Sequence, residues 1–184
     1  MKKIFLIIAF LFLTIQSAYS FVLQIEGDPF PYVFDGSSLA FSVKPSNDGH
    51  WSIWAAQFEM NLPDEMIGLV KDNQGKGFTH RITPSRGASL DYGVNTDSSG
   101  FYFGLGGFKI INQISLGTET QEFAISYKFF KVGYSWFFWD RYSLNLWVSA
   151  GPQSITEGSN KIGNDEYIVE SFRILGGPHF AVTF

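Results

Sequence analysis

The sequence predicts an all-β fold, an eight-stranded antiparallel up-and-down transmembrane β-barrel, on three observations. Apolar residues alternate with small or polar ones in runs that recur about every twenty positions, and after the first twenty residues no helical periodicity is sustained. Short and long links alternate between those runs. Aromatic residues make up 18% of the chain and charged residues 16%, whereas about a quarter of the residues in a soluble domain are charged. A surface facing lipid accounts for both departures.

The elements follow in order. Lys2 and Lys3 precede the apolar run Ile4 to Leu13 and the small residues Ser17, Ala18 and Ser20, which is the layout of a cleaved secretory signal over 1–20. That run is shorter than the roughly 18 residues a helix needs to cross a bilayer. The chain contains no cysteine, which excludes disulfides and a lipid-modified cysteine at the cleavage site. Residues 21–184 then read as one domain. Its 17 acidic residues outnumber the basic ones, and nothing in their distribution suits nucleic acid.

Seven strands are expected at Ser37 to Lys44, Trp51 to Asn61, Arg86 to Asn95, Phe101 to Asn112, Glu122 to Trp136, Tyr142 to Gly151 and Phe172 to Phe184. The links 45–50, 96–100 and 137–141 are short, and 62–85, 113–121 and 152–171 are long. Outer-membrane barrels have short periplasmic turns, longer extracellular loops and an even number of strands. That rule requires one more strand before Ser37, which Phe21 to Glu26 supplies, with Gly27 to Gly36 as the first outer loop.

The polar faces decide which side meets lipid. Ala88, Leu90, Tyr92 and Val94 alternate with Gly87, Ser89, Asp91, Gly93 and Asn95, and Leu144, Leu146 and Val148 with Ser143, Asn145, Trp147 and Ser149. Small polar residues suit the narrow interior of eight strands, while a wet exterior would favour Lys and Glu. On the last strand Phe172, Ile174, Gly176, Pro178, Phe180, Val182 and Phe184 share one face, against Arg173, His179 and Thr183. Tyr134, Trp136, Phe137, Phe138, Trp139 and Tyr142 crowd one turn as an interfacial aromatic girdle. Phe123, Ile125, Tyr127 and Phe129 have the opposite parity to Val132, Tyr134 and Trp136, so a β-bulge is expected near Phe130-Lys131.

The C-terminal Pro-His-Phe-Ala-Val-Thr-Phe, with Phe180, Val182 and Phe184, resembles the signal by which outer-membrane assembly machinery selects barrels, although Val182 stands where an aromatic is usual. With Leu62-Pro63-Asp64, Gly133-Tyr134-Ser135-Trp136-Phe137 and Leu146-Trp147-Val148, the chain resembles small bacterial outer-membrane β-barrel proteins. The resemblance implies a fold, an outer-membrane location and the assembly machinery as a partner. It implies no activity.

The sequence carries no phosphate-binding loop, metal-ligand spacing or nucleophile elbow, and no cofactor or catalytic residue is expected. Gly104, Gly106 and Gly107 lie within a strand, where they ease curvature or make room. His179 and Arg173 are expected to point inward and to pair with Glu59, Asp91 and Asn145 in a polar network, because a narrow barrel must satisfy its interior. His50 falls in a turn and His80 in a solvated outer loop. In that loop, Pro63 with Asp64 and Glu65 predicts one or two helical turns through Leu69-Val70. Lys71, Lys76, Arg81 and Arg86 are candidates for lipopolysaccharide phosphates, and the loop itself is either a lid or a plug. The expected function is an envelope protein without an open pore, with a structural, surface-contact or small-ligand-binding role. An enzyme acting on lipid A or phospholipid acyl chains, and a soluble periplasmic barrel binding an apolar ligand, are the alternatives.

Overall fold

The computed structural model describes residues 21–184, and the expected signal over 1–20 lies outside them. The chain runs through β1 (Val22–Gly27), α1 (Pro29–Val33), β2 (Ser37–Lys44), β3 (Trp51–Leu62), α2 (Asp64–Ile67), a 3₁₀ turn at Lys71–Asn73, β4 (Thr79–Gly93) and β5 (Gly100–Leu116). It continues through β6 (Glu119–Trp139), β7 (Tyr142–Gly158), β8 (Lys161–Ile162), β9 (Asp165–Glu166) and β10 (Phe172–Thr183). Strands β1 to β7 and β10 pair antiparallel with their neighbours in sequence, and β1 joins β10 to close the eight-stranded sheet into a ring. β8 and β9 form a separate small hairpin.

The links 45–50, 94–99 and 140–141 lie at one end of the ring, the turn end, together with Phe184, whose backbone pairs with Leu23. The other links lie at the loop end. All three long links expected from the sequence are shorter than read, the last because β7 runs on to Gly158. β4 begins at Thr79, and β5 and β6 meet in the two-residue turn 117–118, so most of 79–85 and 113–121 is strand. A register shift between Thr83 and Arg86 lets Pro84 sit within β4. A bulge absorbs the proline without ending the strand.

The strands extend because their polarity inverts. On β6, Phe130, Tyr134 and Trp136 face outward and are exposed, while Lys131 and Ser135 are buried inside. Nearer the loop end of the same strand, Phe123, Ile125, Tyr127 and Phe129 are the buried inner residues and Glu122 and Lys128 are exposed. No bulge occurs at Phe130-Lys131, because pairing with β5 is unbroken from Gly100↔Ser135 to Leu116↔Glu119. The change of parity in the apolar residues is a change of side. β5 does the same, with Phe101, Phe103 and Leu105 outside and then Phe108, Ile110 and Ile114 inside.

The loop-end half therefore has an apolar core. Ile67, Phe78, Ile162 and Tyr167 from the links close it from above. Full burial of a side chain of this size contributes roughly 1.5–3 kcal/mol. Asn73, itself buried, fastens two links by donating to the Ile168 carbonyl at 2.9 Å and accepting from the Ile168 amide at 2.7 Å. Pro63 precedes α2 as its cap and does not occupy its first position.

α1 stands where an irregular loop was expected. Asp28 accepts from the Phe30 amide at 2.9 Å, and Pro29 occupies the first turn, where its missing N–H costs nothing.

Candidate functional site in the ring interior

Near the turn end the interior holds a linked set of polar contacts. Lys131 Nζ reaches Asp91 Oδ2 at 2.8 Å and Ser89 Oγ at 3.0 Å, and Ser89 Oγ donates to Asp91 Oδ1 at 2.8 Å. Lys131 and Asp91 are 3% and 5% exposed, so each charge depends on the other for the stabilisation that water would give. Gly104 makes this possible, since a Cβ there would collide with Asp91 Oδ1 and crowd Lys131. The expectation that these glycines make room inside holds at this position.

Lys131 also lies 4.2 Å from the centroid of the Trp54 ring, a cation–π contact. Trp54 stacks on His179 at 6.2 Å. His179 Nε2 accepts from Trp147 Nε1 at 2.9 Å, which leaves Nδ1 to donate to Glu26 Oε2 at 2.9 Å. Asp28 Oδ2 lies 3.9 Å from Nε2. Trp54, His179 and Trp147 thus form a layer across the ring. The polar space on its turn-end side holds only about 60 Å³.

On the loop-end side of that layer is an apolar cavity of about 210 Å³. Phe58, Met60 and Phe108 line its wall, Phe30, Pro31 and Phe34 come from α1 and its end, and Met66 comes from α2. Trp54, Trp147 and His179 line both spaces and form the partition.

A second histidine is buried higher up. His80, expected in a solvated loop, is an inner residue of β4 and is 4% exposed. Asn112 Nδ2 donates to the Ile110 carbonyl, so its Oδ1, 2.9 Å from His80 Nε2, is the acceptor. His80 Nδ1 then accepts from the Tyr167 hydroxyl at 2.8 Å. Burial pushes the Tyr167 hydroxyl up to about 12, which keeps it a donor.

No family model, curated protein or solved structure matches the chain.

Of the residues expected inside, Asp91, Asn145 and His179 line one polar space at the turn end. Asn145 is buried, and its Oδ1 accepts no hydrogen bond from the described residues. Glu59 is not with them. It shares the outward parity of Trp51 and Ile53, and its carboxylate lies 3.7 Å from Arg81 on the outer surface. Arg173 has the expected parity but the wrong height. It pairs with Gly151, six residues up β10 from His179, and none of the ion pairs among the described residues includes it. Tyr167, Tyr127 and Glu170 are its electrostatic neighbours.

Lys131, Glu26, Asp28, Trp54 and Trp147 were missed as site residues. Parity could have found Lys131, which stands between outward Phe130 and Val132. Outside the ring, Arg81 and Arg86 lie on the outer face of β4, Lys71 on the 3₁₀ turn, and Lys76 donates to the Glu166 carbonyl at 2.9 Å. Phe180 and Phe184 are exposed on the turn-end outer surface, with Val182 between them.

Proposed function

We propose that this chain is an integral outer-membrane β-barrel without an open pore, embedded by its turn-end half and carrying a packed head at the loop end. Its role is in the envelope, through surface contact and small-ligand binding, with lipopolysaccharide and the barrel assembly machinery as partners. One observation carries this reading. The Lys131–Asp91 pair is buried behind a wall whose other side exposes Leu90, Leu105 and Phe130. In water that arrangement hides charge and exposes oil. In hydrocarbon it is the favourable one, since around the turn-end half the sheet is closed, leaves no backbone edge, and each outer side chain meets lipid. The aromatic residues Trp136, Phe138, Trp139 and Tyr142 at the last turn are exposed together, as a headgroup girdle would be.

The cations fit the same orientation. Arg86 and Lys109 are direct partners across β4 and β5, just beyond the apolar rows. Like charges in that relation are unfavourable until an anion joins them. Glu157 already pairs with Lys109 at 2.6 Å, and Arg86, with Arg81, Lys71 and Lys76, faces outward for lipopolysaccharide phosphates.

The test is migration and conductance. Purified protein should need detergent to stay in solution, show a heat-modifiable band on a gel, and give no ion conductance in a planar bilayer. Detergent-free solubility with heat-insensitive migration would favour the soluble reading. Open-pore currents would overturn the closed interior.

A further inference from the structure

The apolar cavity lies behind a stretch of wall that strands do not close. β1 ends early: its pairing stops at Gly27↔Phe180 on one side and at Glu26↔Ala40 on the other. β10 continues to Phe172 and β2 to Ser37 with no strand between them. Pro178, which has no amide hydrogen, follows Gly176 and Gly177 just past the point where β10 loses β1. Proline is tolerated in a sheet where the ladder is interrupted.

α1 fills the interruption. It is tied to β2 by the Tyr32 hydroxyl, which donates to the Ser38 carbonyl at 3.0 Å, and to β3 by the Asn61 amide, which donates to the Phe34 carbonyl at 2.9 Å. Against β10 the Phe30 ring rests over Gly177, where an added Cβ would meet it at 3.6 Å. Phe30, Tyr32 and Val33 are nevertheless exposed, beside exposed Leu39 on β2 and Ile174 on β10. The cover is thus held by few bonds and is continuous with the apolar outer surface.

We infer that this gap is a lateral entrance through which the hydrocarbon tail of a membrane lipid enters the cavity, with α1 as its gate. The inference rests on the membrane-embedded reading above. The lining selects for hydrocarbon. Met60, Met66, Phe58 and Phe108 offer adaptable apolar surface. Three polar side chains, Asp28, Ser38 and His179, share the lining, and most of their capacity is taken: Trp147 and Glu26 occupy the two nitrogens of His179, and Asp28 accepts from the Phe30 amide. Space of this kind gives water too few partners, so an apolar group is its complement. The mouth lies at the upper edge of the embedded half, where exposed Leu39 and Ile174 continue the apolar outer surface, so a tail in the adjoining lipid reaches it without crossing water.

The chain's own tryptophans report on both claims. Trp54 and Trp147 line the cavity, while Trp51, Trp136 and Trp139 are exposed on the outer surface. Two reporters are made, one with Trp51, Trp136 and Trp139 replaced by Phe and one with Trp54 and Trp147 replaced by Phe. Each is reconstituted into phosphatidylcholine vesicles with or without acyl-chain bromine, a short-range quencher. The expected result is quenching of both reporters, with quenching of the inner one lost when Ala56→Leu fills the cavity. Ser38→Leu, from another part of the lining, serves if Ala56→Leu does not give a heat-modifiable folded band. Quenched outer and unquenched inner tryptophans would overturn the inference and leave the membrane reading standing. Inner quenching that survives filling would also overturn it, since bromine would then be acting through the wall. If the outer tryptophans are not quenched, the membrane reading fails and the entrance with it.

Discussion

At the turn end Lys131 lies inside the ring and Phe130 outside; nearer the loop end of the same strand Tyr127 is inside and Lys128 outside. Backbone parity does not change between them. What changes is the medium each face is suited to. Along β5 and β6 the turn-end half has a polar interior and an apolar surface, and the loop-end half has an apolar interior and a polar surface, as a water-soluble protein would. Because side chains alternate with a period of two, one strand serves both halves only if its apolar residues switch parity midway. An apparent register error in the sequence is therefore the boundary between two environments.

The largest effect is expected from the polar interior. Lys131→Met leaves Asp91 buried without its partner, and breaking such a pair costs about 3–5 kcal/mol. The temperature at which the folded band is lost on a gel should fall sharply. Lys131→Met with Asp91→Leu should recover most of the loss, because an apolar pair of similar volume is often neutral or better. If the single variant is as stable as the parent, the turn-end interior is wetter than its geometry implies and the contrast between the halves weakens.

A neighbouring pair tests the boundary between the halves, with an inner loss of similar order and an outer one far smaller. Phe129 is 5% exposed and Phe130 is 49% exposed. Phe129→Ala should cost about 3–5 kcal/mol as a core deletion. Phe130→Ala should change detergent-solubilised stability by about 0.5 kcal/mol or less, as outward substitutions do. Equal losses on thermal unfolding would place the boundary between the halves elsewhere on β6.

How much of this could be read beforehand follows from the same boundary. Strand number, the order of the links and the inward small polar faces were legible because they lie in the half where apolar means outside. Glu59 was misplaced because the rule was carried past that half: on β3 the outer row of Trp51, Ile53 and Ala55 continues as Gln57 and Glu59. His80 was read as a loop residue because the strand was begun at Arg86, and only the bulge at 83–86 shows that it runs through Pro84 from Thr79. Arg173 illustrates a different limit. Parity gives a residue's face, but its height relative to Asp91 or Glu26 depends on the stagger of the strands, which local sequence does not encode. α1 was hidden for a further reason: a single turn with two prolines has no periodicity to detect.

The smallest effect belongs to the turn end, where the polar interior meets solvent. Asp97 Oδ1 accepts from the Ser99 amide at 2.9 Å and from its hydroxyl at 2.6 Å, and these bonds hold the carboxyl below its usual range. Lys44 Nζ bridges this turn to the neighbouring one, donating to the carbonyls of Thr96 and Asn47. A carboxyl depressed in the folded state contributes stability that is present above its unfolded value and is lost as pH falls through the folded one. The contribution should therefore be flat near neutrality and decline below the ordinary carboxylate range. Asp97 is exposed, so solvent and salt screen most of it. Asp97→Asn should remove this acid-dependent part and leave neutral stability nearly unchanged. The check is thermal loss of the folded band at a series of acid pH values in low and high salt. A variant that keeps the parent's full acid decline would move the titrating group away from this turn.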